Sequence, residues 1–324
     1  MAEYINIKGQ NIEVVASDPA NPTLGQIWYN STSNTLKGDG VTTAGAWATG
    51  GNLPSPLYSG AGAGTQTAAL IFGGVGPVGK NATYEYNGTS WTPGNNLNRP
   101  VEQLAGAGTQ TAGLAFAGEP TSAITEEYDG TNWTTVNSMN TARYSLGGCG
   151  TQTAAVGFGG FIPPTLSAAT EEYDGTNWTT VNSMNTARYQ IAGTGTQNSA
   201  LAIGGRLGPP AIGLSTTEQY DGTSWTTGGN LNTARRASAG LGTSSLAIGF
   251  GGYSTGASFS STEEYNGSTW TTLPATLATA RTYLSSAGTI SLGVTMSGST
   301  GSASTATEDW TGAGAPTTVT ITAS

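Results

Sequence analysis

Arginines at Arg143, Arg188, Arg235 and Arg281 recur once in each of the last four of six repeats, where the first two have Leu57 and Val101, with Arg99 two residues out of register. Glutamates at Glu126, Glu171, Glu218, Glu263 and Glu308 recur in all but the first, which has Tyr84. Tyrosines keep the same step at Tyr86, Tyr128, Tyr173, Tyr220 and Tyr265. Guanidinium groups brought together would grip a carboxylate bidentately, and a tyrosine nucleophile among carboxylic acids can cleave glycosides. That chemistry needs unlike residues from several repeats to meet in one place, whereas residues that recur once per repeat are spread around the structure. The expectation is therefore that each Arg pairs with a nearby Glu or with backbone carbonyls where repeats meet. Adjacent acids such as Glu126-Glu127, Glu171-Glu172 and Glu263-Glu264 point to opposite faces of a strand and make no catalytic pair. No active site is legible, and the chain reads as a non-enzyme.

What is missing narrows the chemistry further. Histidine is absent, which removes zinc hydrolysis and the serine or cysteine systems that use a histidine base. The single Cys149 excludes an internal disulfide and sits among glycines as a small structural residue. No calcium loop of the D-x-[DN]-x-[DN]-G type is present, and Asp129, Asp174 and Asp221 are explained by turns, so neither metal nor cofactor is expected. The net charge is −9, with 10 basic residues scattered along the chain. No basic face is left for phosphate binding, so nucleic acid is not an expected partner.

These residues are carried by a repeat. Residues 125–144 and 170–189 are identical, and looser copies recur, with a signature glycine at Gly64, Gly108, Gly150, Gly195, Gly242 and Gly288. Each copy has four short strand-like parts and no apolar stripe of helical period, which predicts an all-β propeller of four-stranded blades. Small residues such as Gly147, Gly148 and Cys149 suit the innermost strand, and apolar runs ending in Gly-Gly suit a strand buried between blades. Asp-Gly or Asn-Gly steps such as Asp129-Gly130 predict a tight hairpin between the third and fourth strands. Trp91, Trp133, Trp178, Trp225 and Trp270 open the fourth strands, and with the tyrosines they are expected to pack blade against blade.

Gly-Gly after an apolar strand, then Tyr, then Trp five residues on, then Arg, is similar to the kelch motif over most of the chain. The resemblance implies a propeller of the kelch and galactose-oxidase type, although the oxidase's copper chemistry needs the histidines this chain lacks. The copies depart from kelch in a two-residue turn between Tyr and Trp and in the G-T-Q-T signature. With the segment GQIWYNSTSNTLKG (Gly25 to Gly38), the repeats look like virion and tail-fibre proteins of tailed bacteriophages, particularly of marine hosts.

Two features remain open in the sequence. Residues 26–51 align with the second, third and fourth strands of a blade, and residues 316–324 alternate like a strand. Together they would complete a seventh blade, after an N-terminal docking or extended segment over residues 1–25 and within a propeller spanning 26–324. Alternatively the tail is the fourth strand of the last copy and Tyr4 to Ala16 completes the ring, or six blades stand with a separate N-terminal docking module. The links from second to third strand also vary. They carry Phe161, Ile162, Pro163 and Pro164 in one copy, Leu207, Pro209, Pro210 and Ile212 in the next, and Tyr253 in the fifth. Either a contact rim or unconstrained drift gives that pattern.

The resemblance implies a structural or adhesion component of a phage virion, made in the host cytoplasm, since the N-terminus lacks signal-peptide features and no apolar run spans a membrane. Its partners would be other virion proteins, a host surface glycan or receptor, and further copies of itself in the particle. The alternatives are a glycan-binding or glycan-cleaving sialidase-like propeller and an intracellular kelch-type scaffold.

Overall fold

The computed structural model describes residues 12–19, 26–41, 44–313 and 316–321, and among these the regular elements are β-strands, with no helix. The chain divides into two units, Met1–Gly45 with Gly312–Ser324, and Ala46–Thr311.

In the Ala46–Thr311 unit, six four-stranded antiparallel sheets follow one another. Sheet I is Ala61–Thr65, Ala68–Phe72, Thr83–Tyr86 and Trp91–Pro93; sheet II is Ala105–Thr109, Ala112–Phe116, Thr125–Tyr128 and Trp133–Val136. Sheet III is Gly147–Thr151, Ala154–Phe158, Thr170–Tyr173 and Trp178–Val181; sheet IV is Ala192–Thr196, Ser199–Ile203, Thr217–Tyr220 and Trp225–Thr227. Sheet V is Ala239–Gly242, Ala247–Phe250, Ser261–Tyr265 and Trp270–Thr276. Sheet VI takes Ser285–Gly288, Leu292–Met296 and Thr307–Thr311 from the last repeat and its fourth strand, Ala46–Thr49, from the start of the unit. The arrangement is propeller-like. The small-residue first strands of all six sheets line one channel, and second-strand residues such as Leu70, Ile71 and Phe72 are wholly buried. Their apolar side chains form clusters shared by consecutive sheets, and sheet VI shares one with sheet I through Met296, Val294 and Ile71.

Two sets of backbone hydrogen bonds run from sheet to sheet. The amide that follows each second strand by two residues donates to the next sheet's connecting segment: Gly74 to Val101, Gly118 to Arg143, Gly160 to Arg188, Gly205 to Arg235, Gly252 to Arg281 and Gly298 to Leu57, at 2.8–3.0 Å. The first residue of each two-residue step is left-handed, a glycine in four sheets and Ala117 or Ser297, at φ 63° and 61°, in the other two. Gly204 has φ 58°, and a Cβ there would lie 2.3 Å from the carbonyl oxygen of Arg235, so a side chain could not be added without moving the neighbouring sheet.

The tight hairpin expected at Asp-Gly differs in one respect. Tyr128 pairs directly with Trp133, so the connection is a four-residue loop, and only its glycine, Gly130 at φ 89°, is left-handed. The Asp129 carboxylate closes the loop by accepting the amides of Thr131 and Asn132 at 2.8 and 2.6 Å, an Asx turn in which the side chain replaces a second positive φ. The two-residue turn lies instead between first and second strands, where Thr109 pairs with Ala112.

The other unit pairs Glu13–Val15 parallel with Ile27–Asn30, which pairs antiparallel with Thr35–Val41, which in turn pairs with Pro316–Ile321. Asp18 organises it by accepting from Trp28 Nε1, Asn30 Nδ2 and Lys37 Nζ at 3.1, 2.7 and 2.6 Å. The Lys37 bond first, then those from Asn30 and Trp28, hold its carboxyl down at about 2. The expectation that 26–51 and 316–324 form one closing blade thus divides between two sheets. The hairpin from Ile27 does meet the C-terminal strand, but Ala46–Thr49 pairs with Thr307–Thr311. Side chains explain the choice: every other sheet sets a third-strand Tyr opposite a fourth-strand Trp, and in sheet VI that place is filled by Trp310 opposite Trp47, rings 5.1 Å apart. The C-terminal tail is therefore not the fourth strand of the last copy, and most of the alternative segment, residues 4–11, lies outside the described residues.

Candidate functional site

The charged residues that recur along the repeats are consumed by the repeat. Arg143, Arg188, Arg235 and Arg281 have no exposed surface, and each pairs with the glutamate of its own sheet: Arg143 with Glu171, Arg188 with Glu218 at 3.2 Å, Arg235 with Glu263 at 2.7 Å and Arg281 with Glu308 at 2.5 Å. Other donors go to carbonyls, as from Arg281 Nη1 to Ser297 and Ala306 at 2.7 and 2.9 Å, while the Nε of Arg143, Arg188 and Arg281 is buried without a hydrogen-bond partner. Burial lowers these guanidinium pKa values, and the paired glutamate opposes the shift. Sheet I has neither charge: Leu57 and Tyr84 take the two places and are buried in one apolar cluster. The arginines face their own sheets rather than the channel, so they form no anion-binding ring.

Tryptophan and tyrosine hydrogen bonds join sheets to the one before, except in sheet V, where Trp270 Nε1 has no hydrogen-bond partner and the Tyr265 hydroxyl donates to Gly267 of its own loop. Trp133, Trp178, Trp225 and Trp47 donate Nε1 to the threonine that opens, or nearly opens, the preceding third strand: Thr83, Thr125, Thr170 and Thr262, at 2.9–3.0 Å. Phe72, Phe116, Phe158 and Phe250 meet the same rings at 4.7–4.9 Å. The hydroxyls of Tyr128, Tyr173 and Tyr220 donate to Glu85, Glu127 and Glu172 at 2.5–2.8 Å, so the second acid of the Glu126-Glu127 and Glu171-Glu172 steps serves the following sheet. The glutamine of the G-T-Q-T signature, whose role the sequence does not disclose, is a third link: Gln110 Nε2 donates to the carbonyls of Ala69 and Tyr86 at 2.9 and 2.7 Å, and Gln152 and Gln197 repeat this.

The tyrosine links have a pH signature. Burial first, then bonding to a carboxylate, holds the phenols of Tyr128, Tyr173 and Tyr220 above the ordinary tyrosine value. In the unfolded chain they ionise at about pH 10, whereas in the fold they keep their protons, so their contribution is complete below pH 10 and is lost as pH rises above it. Urea denaturation between pH 8 and 11 should show stability falling above pH 10, and replacing all three by Phe should flatten that fall.

Unlike residues meet somewhere else, at one mouth of the channel. The residues five positions before the signature glycines are Ser59, Gln103, Ser145, Gln190, Ala237 and Tyr283, and all six have left-handed backbone with φ between 48° and 59°. Their amides and carbonyls bond in succession at 2.7–3.1 Å, Gln103 to Ser59, Ser145 to Gln103, Gln190 to Ser145, Ala237 to Gln190, Tyr283 to Ala237 and Ser59 to Tyr283. Non-glycine residues held in this region cost on the order of 1 kcal/mol or more each. A chain with 50 glycines nevertheless keeps a side chain at all six. Each preceding residue bridges to the start of a second-to-third-strand link: Tyr58 to Val75, Glu102 to Glu119, Tyr144 to Phe161, Tyr189 to Arg206, Arg236 to Tyr253 and Thr282 to Ser299.

The mouth is aromatic and polar. Phe161 lies between Tyr144 and Tyr189, at 5.5 and 5.2 Å; Arg206 covers Tyr189 and Arg236 covers Tyr253, each at 4.6 Å. Arg236 Nη1 donates to Gln190 Oε1 at 2.8 Å, and Gln190 Nε2 donates to the Tyr283 hydroxyl at 2.6 Å. Of the loop residues singled out in the sequence, Phe161 and Tyr253 belong to this rim, half-buried, while Pro163, Pro164, Leu207, Pro209, Pro210 and Ile212 are exposed in the same links and Ile162 is half-buried. Sequence reasoning missed Tyr58, Tyr189, Gln190, Arg206, Arg236 and Tyr283. The signal was the contrast between a constant Arg and the two changing residues after it.

Cys149 lines the channel, where burial pushes its thiol up to about 12, which suppresses the nucleophilic thiolate. Among the described residues no group of three or more Cys, Asp or Glu is placed to hold a metal ion. No protein-family model matches the chain, and no curated protein matches it.

Proposed function

We propose that the Ala46–Thr311 unit is a six-bladed, kelch-like β-propeller closed by the strand Ala46–Thr49, and that it works by binding rather than catalysis. In this reading the protein is an exposed component of a tailed-phage virion, a tail fibre or similar adhesin, whose mouth-side rim contacts a host surface glycan. The observation that carries the binding role is the set of six left-handed positions, where unlike side chains are retained at conformational cost around one opening, while repeat-wide polar residues are engaged in holding sheets together. The half-buried aromatic faces, flanked by carboxamide and guanidinium donors, suit a sugar ring with its apolar faces and hydroxyl edge. The resemblance of the Gly25 to Gly38 segment to virion proteins supports the setting. Glycan cleavage by a mouth tyrosine is the weaker reading, because burial and then the charge of Glu119 raise the Tyr144 phenol, the wrong direction for a nucleophile.

Purified particles should contain the chain, and the isolated protein should bind host cells, with binding lost when the Pro163-Pro164 and Pro209-Pro210 links are shortened. Absence from particles removes the virion setting. Undiminished cell binding by the shortened variant removes the rim.

A further inference from the structure

We infer that the mouth selects an acidic sugar, bearing a carboxylate or a sulfate ester, through Arg206 and Arg236. The inference rests on the glycan-binding reading above and names the ligand class.

Charge accounting singles out these two residues. Nine basic side chains lie among the described residues, and seven of them, Lys37, Lys80, Arg99, Arg143, Arg188, Arg235 and Arg281, each have a carboxylate partner. The two without an ion pair, Arg206 and Arg236, both stand on the same rim, and both are backed by a tyrosine ring. In a chain of net charge −9 acids are plentiful, so two half-buried guanidiniums without a carboxylate leave a local positive field with no internal partner.

Their remaining donors have no hydrogen-bond partner among the described residues, and of these only the Arg236 Nε is buried. A guanidinium carries five N–H groups. Arg236 spends one on Gln190, and its Nε is buried without a partner; Arg206 gives Nε to the Leu207 carbonyl at 3.3 Å. Stacking on Tyr189 and Tyr253 fixes the planes of both groups, which reduces the entropy lost when a planar or tetrahedral anion is gripped by two parallel bonds. Gln190, which accepts from Arg236 and donates to the Tyr283 hydroxyl, and Tyr283 itself carry polar groups for the sugar's hydroxyls. The overall negative charge repels polyanions in general, so affinity for an acidic glycan has to come from this place and not from diffuse attraction.

The test is binding of the full chain to an array of neutral, carboxylated and sulfated glycans at physiological salt, repeated with Arg206→Gln and Arg236→Gln. The expected result is signal confined to acidic glycans, with the two anion classes told apart by which part of the array responds. Each substitution should weaken binding by about 10-fold or more, in line with loss of one charge-assisted contact, while the melting temperature stays near that of the parent. Neutral glycans bound as well as acidic ones, or folded variants that bind acidic glycans like the parent, overturn the inference and leave glycan binding standing. No signal from any class overturns both.

Discussion

Arg143→Ala lowers the free energy of unfolding by about 3–5 kcal/mol, the range for removing one partner of a buried ion pair and leaving the other charge without compensation. Glu171, wholly buried with Arg143, would then keep only its bond from the Asn140 amide at 2.6 Å. Removing both charges should hurt far less. Arg143→Leu with Glu171→Tyr copies what sheet I already contains, Leu57 and Tyr84, exposed by only 2% and 5% in an apolar cluster. The double variant should recover more than half of the loss, because apolar groups of similar size often replace a buried pair with little net cost; full recovery is not expected, since the Gly157 carbonyl loses its guanidinium donor at 3.2 Å. Urea denaturation of the parent, single and double variants measures this. A double variant as unstable as the single one would mean that the paired charges, and not the filled volume, hold the position.

Trp47→Ala is the second large effect, about 3 kcal/mol, at the lower end for tryptophan truncation because the ring is only half-buried. Trp47 stands at 4.7 Å from Phe250 and 5.1 Å from Trp310 and donates to Thr262 at 2.9 Å, the same neighbours in kind as Trp133 and Trp178 have in their sheets. Its loss should therefore resemble Trp178→Ala in thermal melts, although the residue lies far in sequence from the repeat it completes. A change below about 0.5 kcal/mol, the level of an ordinary surface substitution, would show that the N-terminal strand is not integral to sheet VI.

The strands were readable because each repeat writes them again: glycine-bounded apolar runs, Asp-Gly loops and the Tyr–Trp spacing leave little freedom. Pairing of the recurrent Arg and Glu was readable too, from the argument that once-per-repeat residues cannot converge. The partner of the last repeat was not. Strand propensity in Ala46–Thr49 and in Pro316–Ile321 is alike, and what separates them is the contact of Trp47 with Trp310, rings 5.1 Å apart and tilted by 51°, between residues at opposite ends of the unit. The loop after Tyr128 was misjudged because the Asp129 carboxylate does work that a left-handed second residue would otherwise do. The mouth was missed for a different reason: its only mark is the disagreement between copies after the recurrent Arg, and a left-handed Gln or Tyr gives no sign of its backbone in a sequence, whereas a left-handed glycine does.

Native-state hydrogen exchange at Ser59 tests the closed ring of six sheets most directly. Its amide donates to the Tyr283 carbonyl at 3.1 Å and is the one member of the six-residue set that joins the first sheet to the last. In a closed ring it opens only with the whole unit, so its protection should match that of Gln103, Ser145, Gln190, Ala237 and Tyr283. Exchange at Ser59 several orders of magnitude faster than at those five would contradict closure, and with it the mouth around which binding is proposed.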